Sequence, residues 1–149
     1  MPCPLCETLK TRAASPRFVA DLARTSVLLG ERQNPRAWCV LVLKTHAEHM
    51  AELSIDAQRD VFGEVARVAS AIRGLFPAAG AGGGPPRINY ECLGNQVGHV
   101  HWHVIPRFAD DPDPRNPVWG WTKEMIGEGP GAESLKEMAT ALRTILADR

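Results

Sequence analysis

The run Gly98-His99-Val100-His101-Trp102-His103-Val104-Ile105-Pro106-Arg107 decides how this chain folds. Val100, Trp102 and Val104 alternate with three histidines and are β-branched or aromatic types that suit a pleated strand. Successive strand side chains point to opposite faces. The pattern therefore predicts three imidazoles on one face and an apolar set packed into a core on the other. Neighbouring imidazoles would stand about 6.5–7 Å apart at their Cα atoms, from a rise of roughly 3.3 Å per residue, so one small anionic group can touch two of them. Imidazole has an ordinary pKa of about 6.5 and serves as acid, base, nucleophile or metal ligand at neutral pH. The other two histidines, His46 and His49, form a second cluster, so none of the five is scattered.

Immediately before the run lies Gly94-Asn95-Gln96-Val97-Gly98. Its glycines allow close backbone approach to a ligand, and its amides with the Asn95 and Gln96 side chains can donate to phosphate oxygens. A three-histidine set can also hold a catalytic metal whose bound hydroxide attacks. A donor-rich loop leading into the histidines favours phosphoryl or nucleotidyl transfer instead, which needs a nucleophile facing groups that stabilise phosphoryl oxygens.

Further out, Phe18, Val19, Leu22, Val27, Leu28 and Leu29 mark one or two short strands within residues 17–29, and residues 30–36 read as a turn. Trp38-Cys39-Val40-Leu41-Val42-Leu43 is a continuous apolar run, a buried central strand. Ser54 is a plausible N-cap with Asp56 in the first turn. From there Val61, Phe62, Val65, Val68, Ala69, Ile72, Leu75 and Phe76 form one apolar helical stripe that Pro77 stops. Residues 78–86, rich in Gly and Pro, are a connection, and residues 87–93 read as a strand. Residues 110–121 read as an irregular tail, and Leu135, Met138, Ala139, Leu142, Ile145 and Leu146 mark a terminal amphipathic helix. Strands, one helix, then strands fit an α+β domain with an antiparallel sheet.

The 149 residues suit one domain with a substantial core. Lys plus Arg and Asp plus Glu both number 17, so no global basic field exists to hold nucleic acid or an anionic membrane. No apolar run approaches the ~20 residues that span a bilayer. The first residues show no charged segment followed by an apolar stretch, so no secretory signal is expected. Cys39 and Cys92 sit in strand-like stretches, whereas Cys3 and Cys6 form a Cys-x-x-Cys pair, a spacing that suggests metal or redox chemistry. A cytoplasmic protein is the expectation.

Asn89 and the segment 94–107, preceded by Val40-Leu41-Val42-Leu43-Lys44-Thr45-His46 and Glu52-Leu53-Ser54, resemble the signature of the histidine-triad (HIT) superfamily of nucleotide hydrolases and transferases. With Cys3-Pro4-Leu5-Cys6 included, the resemblance covers residues 3–107. Residues 108–149 form the tail and terminal helix of one domain spanning 1–149. The tail, with Trp119 and Trp121, resembles bacterial members of the diadenosine polyphosphate hydrolase-like branch. The resemblance implies a HIT-like fold of about five antiparallel strands, one long helix and a C-terminal helix.

It further implies that His101 is the nucleophile, attacking an α-phosphate to give a nucleotidyl-imidazole. His103 would contact the phosphate and assist the leaving group or water. His99 would orient the nucleophile in some members and ligate zinc in others. Asn95, where many members carry glutamine, would hydrogen-bond phosphate or the bridging oxygen, with Asn89, Gln96 and the Val97 amide also placed to bind substrate. Where the family carries Asp or Asn for the ribose, this chain reads Gly30-Glu31, which leaves Glu31 for that role. The family's Pro-Gly-His reads Arg36-Ala37-Trp38 here.

The Cys3/Cys6 pair is a terminal coincidence, a redox pair or half of a closed tetrahedral zinc site. The resemblance favours the zinc site, completed by His46 and His99, with His49 as a substitute for His46. Of Trp119 and Trp121, at least one should cover core, and one, with Trp119 the candidate substrate-binding residue, should line the partner subunit's nucleotide pocket in the homodimer the family forms. A nucleotide-binding regulatory module with little turnover is the alternative function.

Overall fold

The computed structural model describes residues 2–148. Its elements are α1 (Pro4–Thr11), β1 (Phe18–Asp21), β2 (Thr25–Leu29), β3 (Cys39–Leu43), α2 (Ile55–Leu75), β4 (Arg87–Glu91), β5 (His101–Arg107), α3 (Lys123–Ile126) and α4 (Ala132–Ala147). The five strands form one antiparallel sheet in the order β1-β2-β3-β5-β4. This is the α+β arrangement, a five-stranded antiparallel sheet with one long helix and a C-terminal helix, that the resemblance implies.

Register explains the two faces. Val40 pairs with His103 and Val42 with His101, while Leu28 pairs with Val40. Pairing residues share a face, so Leu28, Val40, Val42, His101 and His103 stand on one side. Val27, Leu29, Cys39, Leu41 and Val104 stand on the other, all buried in the main core beneath α2 and α4. Helix α2 begins as its sequence dictates: the Ala57 N–H donates to the Ser54 hydroxyl at 3.2 Å. Val61, Val65, Val68, Ala69 and Ile72 form its buried stripe. Phe62, counted in that stripe from spacing, is instead exposed and packs edge-on against Trp102. Phe76 is not helical but caps the helix end.

The histidine face is covered by smaller pieces. Helix α1 was not expected from the sequence. It opens on Pro4, a residue suited to a first helical position, and lays Leu5 and Leu9 over Leu28, Val40 and Val42. The tail supplies Val118 and Trp121, buried against Trp38 and Ile105. The histidine strand itself starts at His101, two residues later than the alternation predicts. His99 and Val100 leave the ladder, and the Val100 N–H donates to the Ala47 carbonyl at 2.8 Å. No helix among the described residues is long and apolar enough to cross a membrane.

Candidate active site and metal cluster

Each triad imidazole has a different partner, and each partner fixes where its proton sits. His101 Nδ1 lies 2.7 Å from the His99 carbonyl oxygen. A carbonyl only accepts, so Nδ1 carries the proton and Nε2 keeps its lone pair. His103 is the mirror case: the Trp38 indole Nε1–H donates to His103 Nδ1 at 3.1 Å. An indole nitrogen only donates, so Nδ1 is bare and the proton of neutral His103 sits on Nε2. The two rings meet edge-on with centroids 5.2 Å apart. One adjacent imidazole thus offers a nucleophilic nitrogen and the other an N–H. Burial, with a smaller contribution from neighbouring His101, pushes the His103 pKa down to about 4, so its neutral form prevails at pH 7.

His99 has a third environment. It is fully buried, and its Nε2 donates to the Leu43 carbonyl at 2.8 Å, which leaves Nδ1 bare. Burial foremost, then the neighbouring His46 and His101, lowers its pKa. That Nδ1 faces Cys3 Sγ at 3.3 Å, Cys6 Sγ at 3.5 Å and His46 Nδ1 at 3.2 Å, and Cys6 Sγ lies 3.4 Å from His46 Nδ1. The ring therefore turns to this cluster and, unlike His101 and His103, does not line the cavity on the histidine face. Two thiols and two imidazole nitrogens, all within 4.8 Å of one another, are a zinc donor set. Tetrahedral zinc with bonds of about 2.0–2.3 Å sets its ligand atoms roughly 3.3–3.8 Å apart, close to the separations of 3.2–3.5 Å that His99 makes with the other three and Cys6 with His46. His49 is exposed and outside the cluster, so His46 is the histidine in position.

A cavity of about 600 Å³ opens on the histidine face, a volume suited to a nucleotide-sized ligand. Leu28, Val40 and Val42 form an apolar wall and Leu5 and Thr8 of α1 another, with His101 and His103 also exposed to it. Arg17, Arg32 and Lys123 bring positive charge to its lining. Of the residues expected to bind substrate, Val97, Glu31 and Trp119 line this cavity. The Glu31 carboxylate is exposed, 3.8 Å from Arg17 Nη2. Asn89, Asn95 and Gln96 do not line it. Asn89 pairs with Ile105 on the histidine face, and Asn95 and Gln96 are exposed in the preceding loop.

Trp119 acts within its own chain. It meets the His103 ring edge-on at 5.0 Å and the Trp38 ring at 5.3 Å, and its indole N–H donates to Glu91. Trp119 thus lines its own chain's cavity, and Met125 and Gly127 after it are tied back onto the turn that follows β2. Arg32 donates to the Gly127 carbonyl at 2.7 Å, and the Asn34 amide donates to that of Met125. Trp121 is the core-covering member of the pair. Trp38 is the residue sequence reasoning missed. Its signal was present: two residues before Val40, it falls on the face that Val40 shares with His103.

A family model described as the HIT domain matches residues 16–110, more than half of the chain. The curated protein "Protein hit" of Bacillus subtilis (strain 168) is 27% identical over 107 residues, 72% of each chain. A histidine triad protein of Marinobacter aquaeolei VT8 superposes with a TM-score of 0.74 at 25% identity, covering 98% of this chain and 97% of its own. A zinc-bound histidine triad family protein of Mycobacterium smegmatis shares the fold with a TM-score of 0.66 at 20% identity, over 99% and 95% of the two chains.

Proposed function

The chain belongs to the HIT domain family, and from that premise we propose that it cleaves nucleotides at the α-phosphate through a nucleotidyl-histidine intermediate on His101. Its substrate is a dinucleoside polyphosphate or a nucleoside phosphoramidate, as in the diadenosine polyphosphate hydrolase-like branch. The observation that carries this function is the opposite proton placement on His101 and His103 at one cavity wall.

In the first step His101 Nε2 attacks the α-phosphorus. The P–N bond to His101 forms as the bond to the bridging oxygen breaks, and that oxygen leaves with the electron pair as a phosphate anion; in a phosphoramidate the leaving nitrogen keeps the pair, takes up a proton from solvent and departs as the amine. The His103 Nε2–H donates to the phosphoryl group. In the second step water attacks phosphorus and the P–N pair returns to Nε2, with the water proton passing to solvent. The Val97 amide binds a phosphate oxygen from the cavity lining, Asn89, Asn95 and Gln96 bind phosphate oxygens that extend beyond that lining, Glu31 holds the ribose, and Trp119 and the apolar wall hold the base.

Cys3, Cys6, His46 and His99 would hold zinc. Their donor types and spacing support this, as does the zinc-bound relative. The ion when bound is a structural clamp, tying α1 to His99. The His99 carbonyl in turn orients His101. A homodimer is part of the proposal, supported by the exposed Ile55 and Phe62 on α2 and the exposed Tyr90 and Leu93 by edge strand β4. A cytoplasmic setting is part of the proposal, supported by four free cysteines, two of them in the Cys/His donor cluster.

The test is turnover on a panel of diadenosine polyphosphates and adenosine phosphoramidate. Release of nucleoside monophosphate is the expected result. Tight nucleotide binding without turnover of any member would instead make the chain a nucleotide-binding regulatory module.

A further inference from the structure

The Trp38–His103 hydrogen bond says which leaving groups the site can serve. Trp38 is buried at 8% exposure, and its backbone is held as firmly as its ring. The Gln33 side-chain amide donates to the Trp38 carbonyl at 3.0 Å and to that of Gly30 at 3.1 Å, while the Gln33 carbonyl oxygen accepts the Ala37 N–H at 2.7 Å. The indole is also packed at 5.6 Å edge-on to His103 and at 5.3 Å to Trp119. An N–H held against His103 Nδ1 admits only one state of that ring. Protonating Nδ1 would set two N–H groups against each other at 3.1 Å, so both the Nδ1–H tautomer and the imidazolium are opposed.

Resting on the function proposed above, we infer that Trp38 is a positioning residue that keeps His103 a neutral Nε2–H donor, and that the site thereby favours phosphoanhydride over phosphoramidate substrates. The chemistry of the leaving atoms makes the difference. When the P–O bond of a phosphoanhydride breaks, the bridging oxygen departs with its electron pair as a stabilised phosphate anion, and a hydrogen bond from His103 suffices. When a P–N bond breaks, nitrogen departs as an amine only if it gains a proton, and a neutral imidazole is a poor acid for that transfer.

The surroundings reinforce the constraint. His101 stands beside His103 with its own Nδ1–H committed to the His99 carbonyl. Glu91, the strand partner of His103, has the Trp119 indole N–H directed onto it. Glu31 in the cavity lining faces Arg17. Burial of the His103 ring acts in the same direction as the indole.

Two measurements test this. Long-range ¹H–¹⁵N NMR of wild-type protein at pH 7 should show His103 with a proton on Nε2 and a bare Nδ1. Kinetics should show kcat/KM for diadenosine tetraphosphate exceeding that for adenosine phosphoramidate by about 100-fold or more, the scale of a missing general acid. In Trp38→Phe the ratio should narrow by about 10-fold or more, and His103 should show mixed tautomers. Benzothienylalanine at position 38, which removes only the N–H, should do the same and covers the case in which Trp38→Phe does not fold.

An Nδ1–H His103 in wild type, or a ratio unchanged by loss of the indole N–H, overturns the role of Trp38. Turnover of both substrates at similar rates overturns the preference alone. No turnover of either removes the proposed function and the preference together, while the NMR result still decides the tautomer.

Discussion

On one face of the sheet Val27, Leu29, Cys39, Leu41 and Val104 are sealed beneath two amphipathic helices. On the other, Leu28, Val40 and Val42 share their side with His101, His103 and a cavity of about 600 Å³. The first face is covered by 21- and 16-residue helices. The second is covered by an eight-residue helix, a cluster of two cysteines and two histidines, and a tail segment. Apolar burial on the first face holds the fold together. The second face gives up continuous packing, and the space gained is where imidazoles, cations and an apolar wall can surround a ligand. Changes on the two faces should therefore separate stability from activity.

The sharpest separation is at His101. His101→Ala should lower turnover by about 10⁴-fold or more, since removing a nucleophile disables the route it serves. Its melting temperature should stay within a few degrees of wild type. Steady-state kinetics with thermal unfolding checks both, and full activity would remove His101 as nucleophile. Leu41→Ala is the converse. Deleting a fully buried leucine under α2 should cost about 2–5 kcal/mol, roughly 8–20 °C in melting temperature, while the folded protein keeps its kcat. A large kcat loss at temperatures where the variant is folded would show the two faces to be coupled.

The Cys3/Cys6/His46/His99 cluster, proposed to hold zinc, serves the architecture of the histidine face, so its loss should affect both properties. Cys3→Ser/Cys6→Ser should abolish bound zinc by elemental analysis and reduce activity by about 10- to 100-fold as α1 loosens from the cavity wall. Wild-type protein purified without zinc would contradict the site.

The smallest effect is that of pH. The His103 pKa is depressed in the folded state, so the unfolded chain binds the extra proton as pH falls below about 6.5. The associated stability is fully present above that value and is lost as pH falls toward about 4, by about 1–2 kcal/mol because solvent partly reaches the ring. Chemical denaturation across that range checks it, with His103→Gln expected to flatten the slope.

The same division governs how much of the molecule can be read from the chain. Periodicity reports faces that are covered by regular elements, so α2, its Ser54 cap, β3 and α4 are legible. The exposed Phe62 marks its limit, since spacing alone cannot say how wide a stripe is covered. The histidine face is closed by pieces too short for a period. Helix α1 shows only its Pro4 start, and residues 110–121 show composition without direction. The chemistry of His101, His103 and the glycine loop is visible in a ten-residue run with its preceding loop. The distinct task of each ring is not, because it depends on the His99 carbonyl, the Leu43 carbonyl and the Trp38 indole. Those partners come together only through the register of β3 against β5 and the break in the ladder before His101.

Trapping the intermediate tests the covalent step most directly. Wild-type protein mixed with diadenosine tetraphosphate and quenched during turnover should carry one adenylyl group on the peptide containing His101, absent from His101→Ala. Turnover proceeding with no adenylated histidine at any quench time, or with the group on His103, would contradict the assignment of His101 as the nucleophile.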